Sequence, residues 1–172
     1  GAIENGQDFE GDVRDEYVQI PNSASLENVQ EGDYTLEAWF RPDATPPGTD
    51  PAFNAGYGVL LKEGWHIGLS YANDNTFTMT HYLTGNNWQG ATSSTKGAGS
   101  WYHVVGVVSK TYGYTKIYVD GQLEDTSTWT PGSVADEYGT IPWRIGIAFP
   151  GRTDWSWPAN GKADEVRISN TS

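Results

Sequence analysis

With 172 residues the chain is long enough for one domain with a full hydrophobic core, and with no cysteine it has neither a disulfide framework nor thiolate chemistry. A formal charge of −12 argues against a nucleic-acid or anionic-membrane partner, because no basic cluster is present to neutralise phosphates. No apolar run approaches the roughly 20 residues of a membrane span, whereas eight Trp and ten Tyr are many for this length.

In chain order, residues 1–6 read as a frayed or tag-derived start. Gln7 to Gly11 and Glu16 to Ile20 read as the first strands, broken by an acidic loop. Tyr34 to Arg41 alternates, with Tyr34, Leu36, Ala38 and Phe40 expected to face a core and Glu37, Trp39 and Arg41 the other side. Residues 42–58 are rich in Pro, Gly and Ala and read as a long surface loop. Val59 to Lys62 is a short strand. Trp65 to Tyr71 places Trp65, Ile67, Leu69 and Tyr71 opposite His66, Gly68 and Ser70. Phe77 to Leu83 places Phe77, Met79, His81 and Leu83 opposite Thr78, Thr80 and Tyr82. Residues 84–100 form a polar loop, with room for a short strand around Trp88.

Trp101 to Gln122 is the firmest local pattern. Trp101 to Ser109 is dense in Val and aromatics, Lys110 to Gly113 is a loop, and Thr115 to Val119 alternates with Ile117 and Val119 on one face. Asp120-Gly121 tolerates the positive φ of a type I′ turn and leads into a third strand, giving a β-meander. Residues 124–140 read as loop containing Trp129, Trp143 to Phe149 as strand, residues 150–161 as loop containing Trp155 and Trp157, and Lys162 to Ser169 as the closing strand. Many short strands with Gly/Pro turns and no long helix mean an all-β sandwich.

Five stretches in order carry a resemblance. Phe9-Glu10-Gly11 leading to Tyr17-Val18, Tyr34 to Pro42, Trp101-Tyr102-His103-Val104, Lys116 to Gly121 and Asp164-Glu165-Val166-Arg167-Ile168 resemble the laminin-G-like, concanavalin A-like jelly rolls. The resemblance spans Phe9 to Ser169. It implies a two-sheet antiparallel jelly roll forming a single domain over 1–172. It does not choose a function, because lectins, adhesion modules and enzymes share this fold.

The sequence bears on three chemistries. The loop Glu10 to Glu16 crowds four carboxylates into seven residues, and pairing of the first and last strands would bring Asp164-Glu165 near them. An oxygen-only cluster of Asp12, Asp15 and Asp164, with Glu10 behind them, suits a structural calcium; the same residues also fit a solvated acidic loop. For sugar, Asn87 and Trp88 lie in one polar loop and Arg152, Asp154, Trp155 and Trp157 in another. These pair aromatic faces for the C–H side of a pyranose with short polar groups for its hydroxyls; the alternative is that they anchor their loops. On the sheet faces Glu37, Arg41, His66 and His81 could add contacts. For catalysis, the paired carboxylates of a jelly-roll glycosidase and the Gln-x-His strand of a lyase are both missing.

The expected function is a non-catalytic carbohydrate-binding module for a polysaccharide or glycan. It would be tethered within a larger secreted or cell-surface bacterial protein and monomeric in isolation. A protein-interaction or adhesion domain is the alternative, and a glycan-cleaving enzyme the third reading.

Overall fold

The computed structural model describes residues 6–11, 16–47, 56–62, 67–83, 87–132, 139–148, 150 and 157–170, with backbone alone for 87 and 88. Among the described residues there are twelve strands: β1 (Gln7–Glu10), β2 (Val18–Ile20), β3 (Tyr34–Pro42), β4 (Gly56–Lys62), β5 (Ile67–Ala72), β6 (Phe77–Leu83), β7 (Asn87–Thr92), β8 (Tyr102–Ser109), β9 (Tyr114–Val119), β10 (Gln122–Thr128), β11 (Trp143–Ile145) and β12 (Asn160–Ser169). They pair antiparallel in two six-stranded sheets: β1-β12-β3-β8-β9-β10, here sheet A, and β2-β11-β4-β5-β6-β7, sheet B. Among the described residues the helical content is one 3-10 turn, Val29–Glu31, and no helix is long and apolar enough to cross a membrane.

The inner faces follow the alternation in the sequence. Tyr34, Leu36, Ala38 and Phe40 are fully buried, while the residues between them are half-buried. Val104, Val108, Ile117 and Val119 continue that face, and Ile67, Leu69, Tyr71, Phe77 and Met79 meet it from sheet B. Each such large side chain contributes about 1.5–3 kcal/mol through burial. The approach is close: a Cβ on Gly106 of β8 would fall 2.4 Å from the sulfur of Met79. Asp120 and Gly121, with φ of 51° and 76°, make the expected two-residue turn. Asp120 also accepts the His103 N–H at 2.9 Å.

Several expectations need correction. The third strand expected after the Asp120-Gly121 turn is β10, and it continues from Glu124 to Thr128, where the Glu, Asp, Thr and Ser content reads as loop. An edge strand packs little core and so needs no apolar alternation. β10 instead reaches the edge of sheet B through polar groups: the Thr92 N–H donates to Asp125 at 3.0 Å, and Ser127 donates to Gln89 at 3.2 Å. Trp129 lies past the end of β10, in the loop expected for it, and its side chain is half-buried. It packs on the core, stacks on His81 and donates its indole N–H to Thr115 at 3.3 Å. β11 ends at Ile145, because Gly146 (φ 88°) turns the chain where any Cβ would strike the Phe9 ring.

His81, offered above as a polar contact on an open face, is fully buried between the sheets. One ring nitrogen meets the Tyr34 hydroxyl at 2.8 Å, and Nε2 has no hydrogen-bond partner among the described residues. Burial, helped by the charge of Lys110, pushes its pKa down to about 4. It is a neutral core residue at ordinary pH.

Lys62 ends the apolar run of β4 and is also fully buried. Its ammonium donates to the carbonyls of Leu26, Glu27 and Gly139 at 3.2, 2.9 and 3.1 Å and lies 5.5 Å from the Trp143 ring centre. A buried charge is tolerable only when hydrogen-bonded. Here it ties two connecting segments to the end of β4. Burial pushes its pKa down to about 8, opposed by Glu27 and Glu31.

Candidate functional site

The outer face of sheet B is paved with small residues. Strand register aligns Gly58, Ser70, Thr78 and Thr92 in one row and Leu61, Gly68, Thr80 and Gly90 in the next. The Ser70 and Thr78 hydroxyls are 2.6 Å apart. Glycine in a strand interior marks places where another group approaches closely. That holds at Gly58, which the backbone of Ile147 and Ala148 covers and whose N–H donates to the Trp157 carbonyl at 3.3 Å. Leu61 and Ser70 are buried at the β4 side, so the open floor lies toward β6 and β7, where Thr78, Thr80 and Thr92 offer hydroxyls and Gly90 its peptide groups. Chemically it can hydrogen-bond a polyhydroxylated ligand while excluding little volume.

Arg144 stands in the Leu61 row, one strand beyond it. Its Nε is buried and has no hydrogen-bond partner among the described residues.

Trp157, half-buried and with interactions of its own, lies against β4 at the Gly58 end. Asn87 and Trp88 lie on β7, in register with Leu83 and Tyr82. β4 and β7 are three strand spacings apart and Trp88 is four residues along from Thr92. At about 4.8 Å per strand and 3.3 Å per residue, the backbones of Trp157 and Trp88 are about 20 Å apart. The structure thus brings these two to different ends of one sheet rather than into one pocket. Arg152, Asp154 and Trp155 lie outside the described residues.

The first and last strands pair as expected, with Glu10 opposite Asn160. Asp164 is four residues further along β12, about 13 Å by strand rise, and its side chain accepts the Glu165 N–H at 2.8 Å. The pairing itself does not place Asp164 beside the acidic loop. Glu16 closes that loop by accepting the Glu10 N–H at 2.9 Å. Asp12 and Asp15 lie outside the described residues. No three His, Asp or Glu side chains gather as a metal site among the described ones.

The outer face of sheet A carries the second constellation. A bulge at Glu165 (φ 46°) lets Asp164 pair with Trp39 and Arg167 with Glu37. The extra residue keeps Asp164 and Arg167 outward while Val166 and Ile168 turn to the core. Glu37 receives His103 Nε2 at 2.8 Å and Arg167 Nη1 at 3.2 Å. His103 also packs on Trp39, with ring centres 5.1 Å apart. Glu37 is thus bound by two neighbours instead of standing alone on its face. Arg41 is engaged with Asp43 at 2.7 Å, and His66 lies outside the described residues.

The hydroxyl floor was missed as a candidate from sequence. Its signal was there: two successive strands, β5 and β6, each offer only Gly, Ser or Thr opposite an apolar face over positions 68–70 and 78–80.

The family model described as the concanavalin A-like lectin/glucanases superfamily matches residues 11–172. The chain belongs to this superfamily. No curated protein sequence matches it. Among solved structures this superfamily domain is similar to a putative carbohydrate binding protein from Bacteroides ovatus, with TM-score 0.63 and 20% identity over 91% of this chain and 41% of that one. It is also similar to a botulinum neurotoxin type C structure, from work reporting that the toxin's cell entry depends on interaction with two ganglioside molecules (TM-score 0.58, 16% identity, 91% and 36% covered). A third similar structure is a Trypanosoma rangeli sialidase (TM-score 0.65, 17% identity, 99% and 26% covered). At these identities the likeness establishes the fold, and the domain spans less than half of each of those chains.

Proposed function

We propose that the domain is a non-catalytic glycan-binding module of a larger secreted or cell-surface bacterial protein. It would bind a polysaccharide across the outer face of sheet B. The observation that carries this reading is the hydroxyl-lined floor of Thr78, Thr80 and Thr92, with Trp157 at one end and the Trp88 strand position at the other. Binding domains among its structural neighbours support it. The loop residues Arg152, Asp154 and Trp155, with Asn87, complete the proposed site. The non-catalytic part is supported by Glu37, whose carboxylate is bound by His103 and Arg167 and so is poorly placed to shuttle a proton.

Calcium is the second part of the proposal, held by Asp12 and Asp15 with backbone oxygens. Chelation by EDTA should lower the melting temperature, and an Asp12→Ala variant should lose that response. Superimposable melting curves with EDTA and with excess calcium would remove the metal from the proposal.

The deciding experiment is tryptophan fluorescence titrated with a panel of oligosaccharides. Thr78→Arg and Thr92→Arg each lay a long charged side chain on the floor. Both should weaken glycan binding at least about tenfold, or 1.4 kcal/mol, without loss of the folded signal. Unchanged affinity in both variants, or no glycan bound by the wild type, would refute the assignment.

A further inference from the structure

We propose that the outer face of sheet A carries a separate binding strip, built by Tyr112, Tyr114 and Lys116, for an anionic polysaccharide whose pyranose rings bear carboxylate or sulfate groups. This goes beyond the sheet B assignment and does not rest on it.

The strip starts from the segment Lys110-Thr111-Tyr112-Gly113-Tyr114-Thr115-Lys116. Alternation puts Tyr114 and Lys116 on the outer side of β9, while Thr115 and Ile117 are fully buried. Tyr112 leads into that side from the β8–β9 turn. The two tyrosine rings are 6.4 Å apart and nearly parallel, at 6°. The turn at Gly113 (φ 67°) thus sets Tyr112 parallel to Tyr114 just beyond the end of β9. Lys116 extends the row, its ammonium 4.4 Å from the Tyr114 ring centre. Tyr112 is 73% exposed, the most exposed large hydrophobic residue among those described. Exposed aromatic surface of this kind is what a sugar ring's C–H face stacks on.

Local charge, against the sign of the net charge, selects the ligand class. In a chain of formal charge −12, most described cations are already engaged. Arg41 holds Asp43, Lys96 holds Glu124, Lys162 holds Asp8 and Arg167 holds Glu37. Lys62 is buried against three carbonyls. Lys116 has no carboxylate partner among the described residues, and neither does Lys110 in the adjoining turn. The cross-strand neighbours of Tyr114 are Thr128 and Ser109, and those of Lys116 are Thr126 and Val107. None is acidic. Apart from the Tyr114 ring, the Lys116 ammonium has no partner among the described residues and can donate to an anion, while Tyr112 supplies stacking surface and Thr126 and Thr128 lie on the neighbouring strand. A neutral glycan would use the rings and accept hydrogen bonds from the ammonium, but without the charge-assisted pairing that a carboxylate or sulfate adds.

The test is isothermal titration of the whole chain with a polyuronate, a sulfated galactan and a neutral glucan, at low and high ionic strength. Variants are Tyr112→Ala, Lys116→Gln and the sheet B variant Thr78→Arg. The wild type should bind at least one anionic polymer, more weakly in high salt; the carboxylate and sulfate arms tell which group is read. Tyr112→Ala and Lys116→Gln should each lose at least about tenfold in affinity and keep the wild-type melting temperature, since both side chains are at the surface. Thr78→Arg should bind the anionic polymer as the wild type does. The proposal is overturned if no anionic polymer binds, if both strip variants bind as tightly as the wild type, or if the neutral glucan competes equally. Loss of anionic binding in Thr78→Arg alone would move that ligand to sheet B, leaving the proposed function standing and this inference refuted.

Discussion

Replacing Lys62 by Met keeps the apolar stem and removes the ammonium. Three carbonyls, those of Leu26, Glu27 and Gly139, then lose a donor at 3.2, 2.9 and 3.1 Å. An unsatisfied buried polar group costs about 1–3 kcal/mol, so the gross loss is about 3–9 kcal/mol. Against this, the folded state no longer desolvates an ammonium, which itself costs several kcal/mol. The net expectation is a destabilisation of about 2–4 kcal/mol at pH 7. For a domain of this size each kcal/mol is about 2–4 °C, so the melting temperature should fall by about 4–16 °C. Calorimetry at pH 7 reads this directly.

The same variant tests linkage. The folded pKa of Lys62 is about 8 against 10.5 for the free side chain. Between these values the unfolded chain binds more protons, so the contribution of Lys62 to stability grows as pH rises from about 8 to 10.5 and is lost on going back down. Its ceiling is about 3 kcal/mol at 1.36 kcal/mol per pH unit; the three carbonyls favour the charged form and keep the real rise below that. Wild type minus Lys62→Met should show this slope in urea midpoints. A variant melting within about 2 °C of the wild type, with parallel pH curves, would refute the clamp.

Three further predictions concern stability. His81, held neutral with a pKa near 4, contributes stability present above pH 6.5 and lost as pH falls to about 4; His81→Gln should flatten that part of the urea-midpoint profile, and an unchanged profile would exclude His81 as its source. Glu124 is held near a pKa of about 2 by Lys96 first and by the Ser94 hydroxyl and N–H next. Its contribution is present above about pH 4.5 and lost as pH falls to about 2, so Glu124→Gln should cost about 1–3 kcal/mol at pH 7 and almost nothing at pH 2, read by guanidinium titration. Gly68→Ala would put a Cβ 2.1 Å from the Leu60 carbonyl oxygen at φ 137°; it should cost more than about 3 kcal/mol, visible as loss of soluble folded protein, and a stable Ala variant would contradict the tight approach of β4 and β5.

Period-two alternation made β3, the β8–β9 pair and the Asp120-Gly121 turn legible in the sequence, because strand pleat and turn backbone are local properties of a few adjacent residues. The sandwich followed from their number and order. The Tyr112, Tyr114, Lys116 row was equally visible as spacing, and so was the Gly/Ser/Thr face of β5 and β6. Exposure was not visible, because it depends on which segment lies over a face. Tertiary structure alone decided that the polar residues from Glu124 to Thr128 continue an edge strand, that Gly146 takes the chain out of β11, and that the bulge at Glu165 turns Arg167 toward Glu37. It also decided the fate of individual side chains. Trp129 and His81 stack on each other inside, and Lys62 finds its acceptors at positions 26, 27 and 139, far away in the chain. Such partners meet only when two sheets close on one another, and no local pattern encodes that distance.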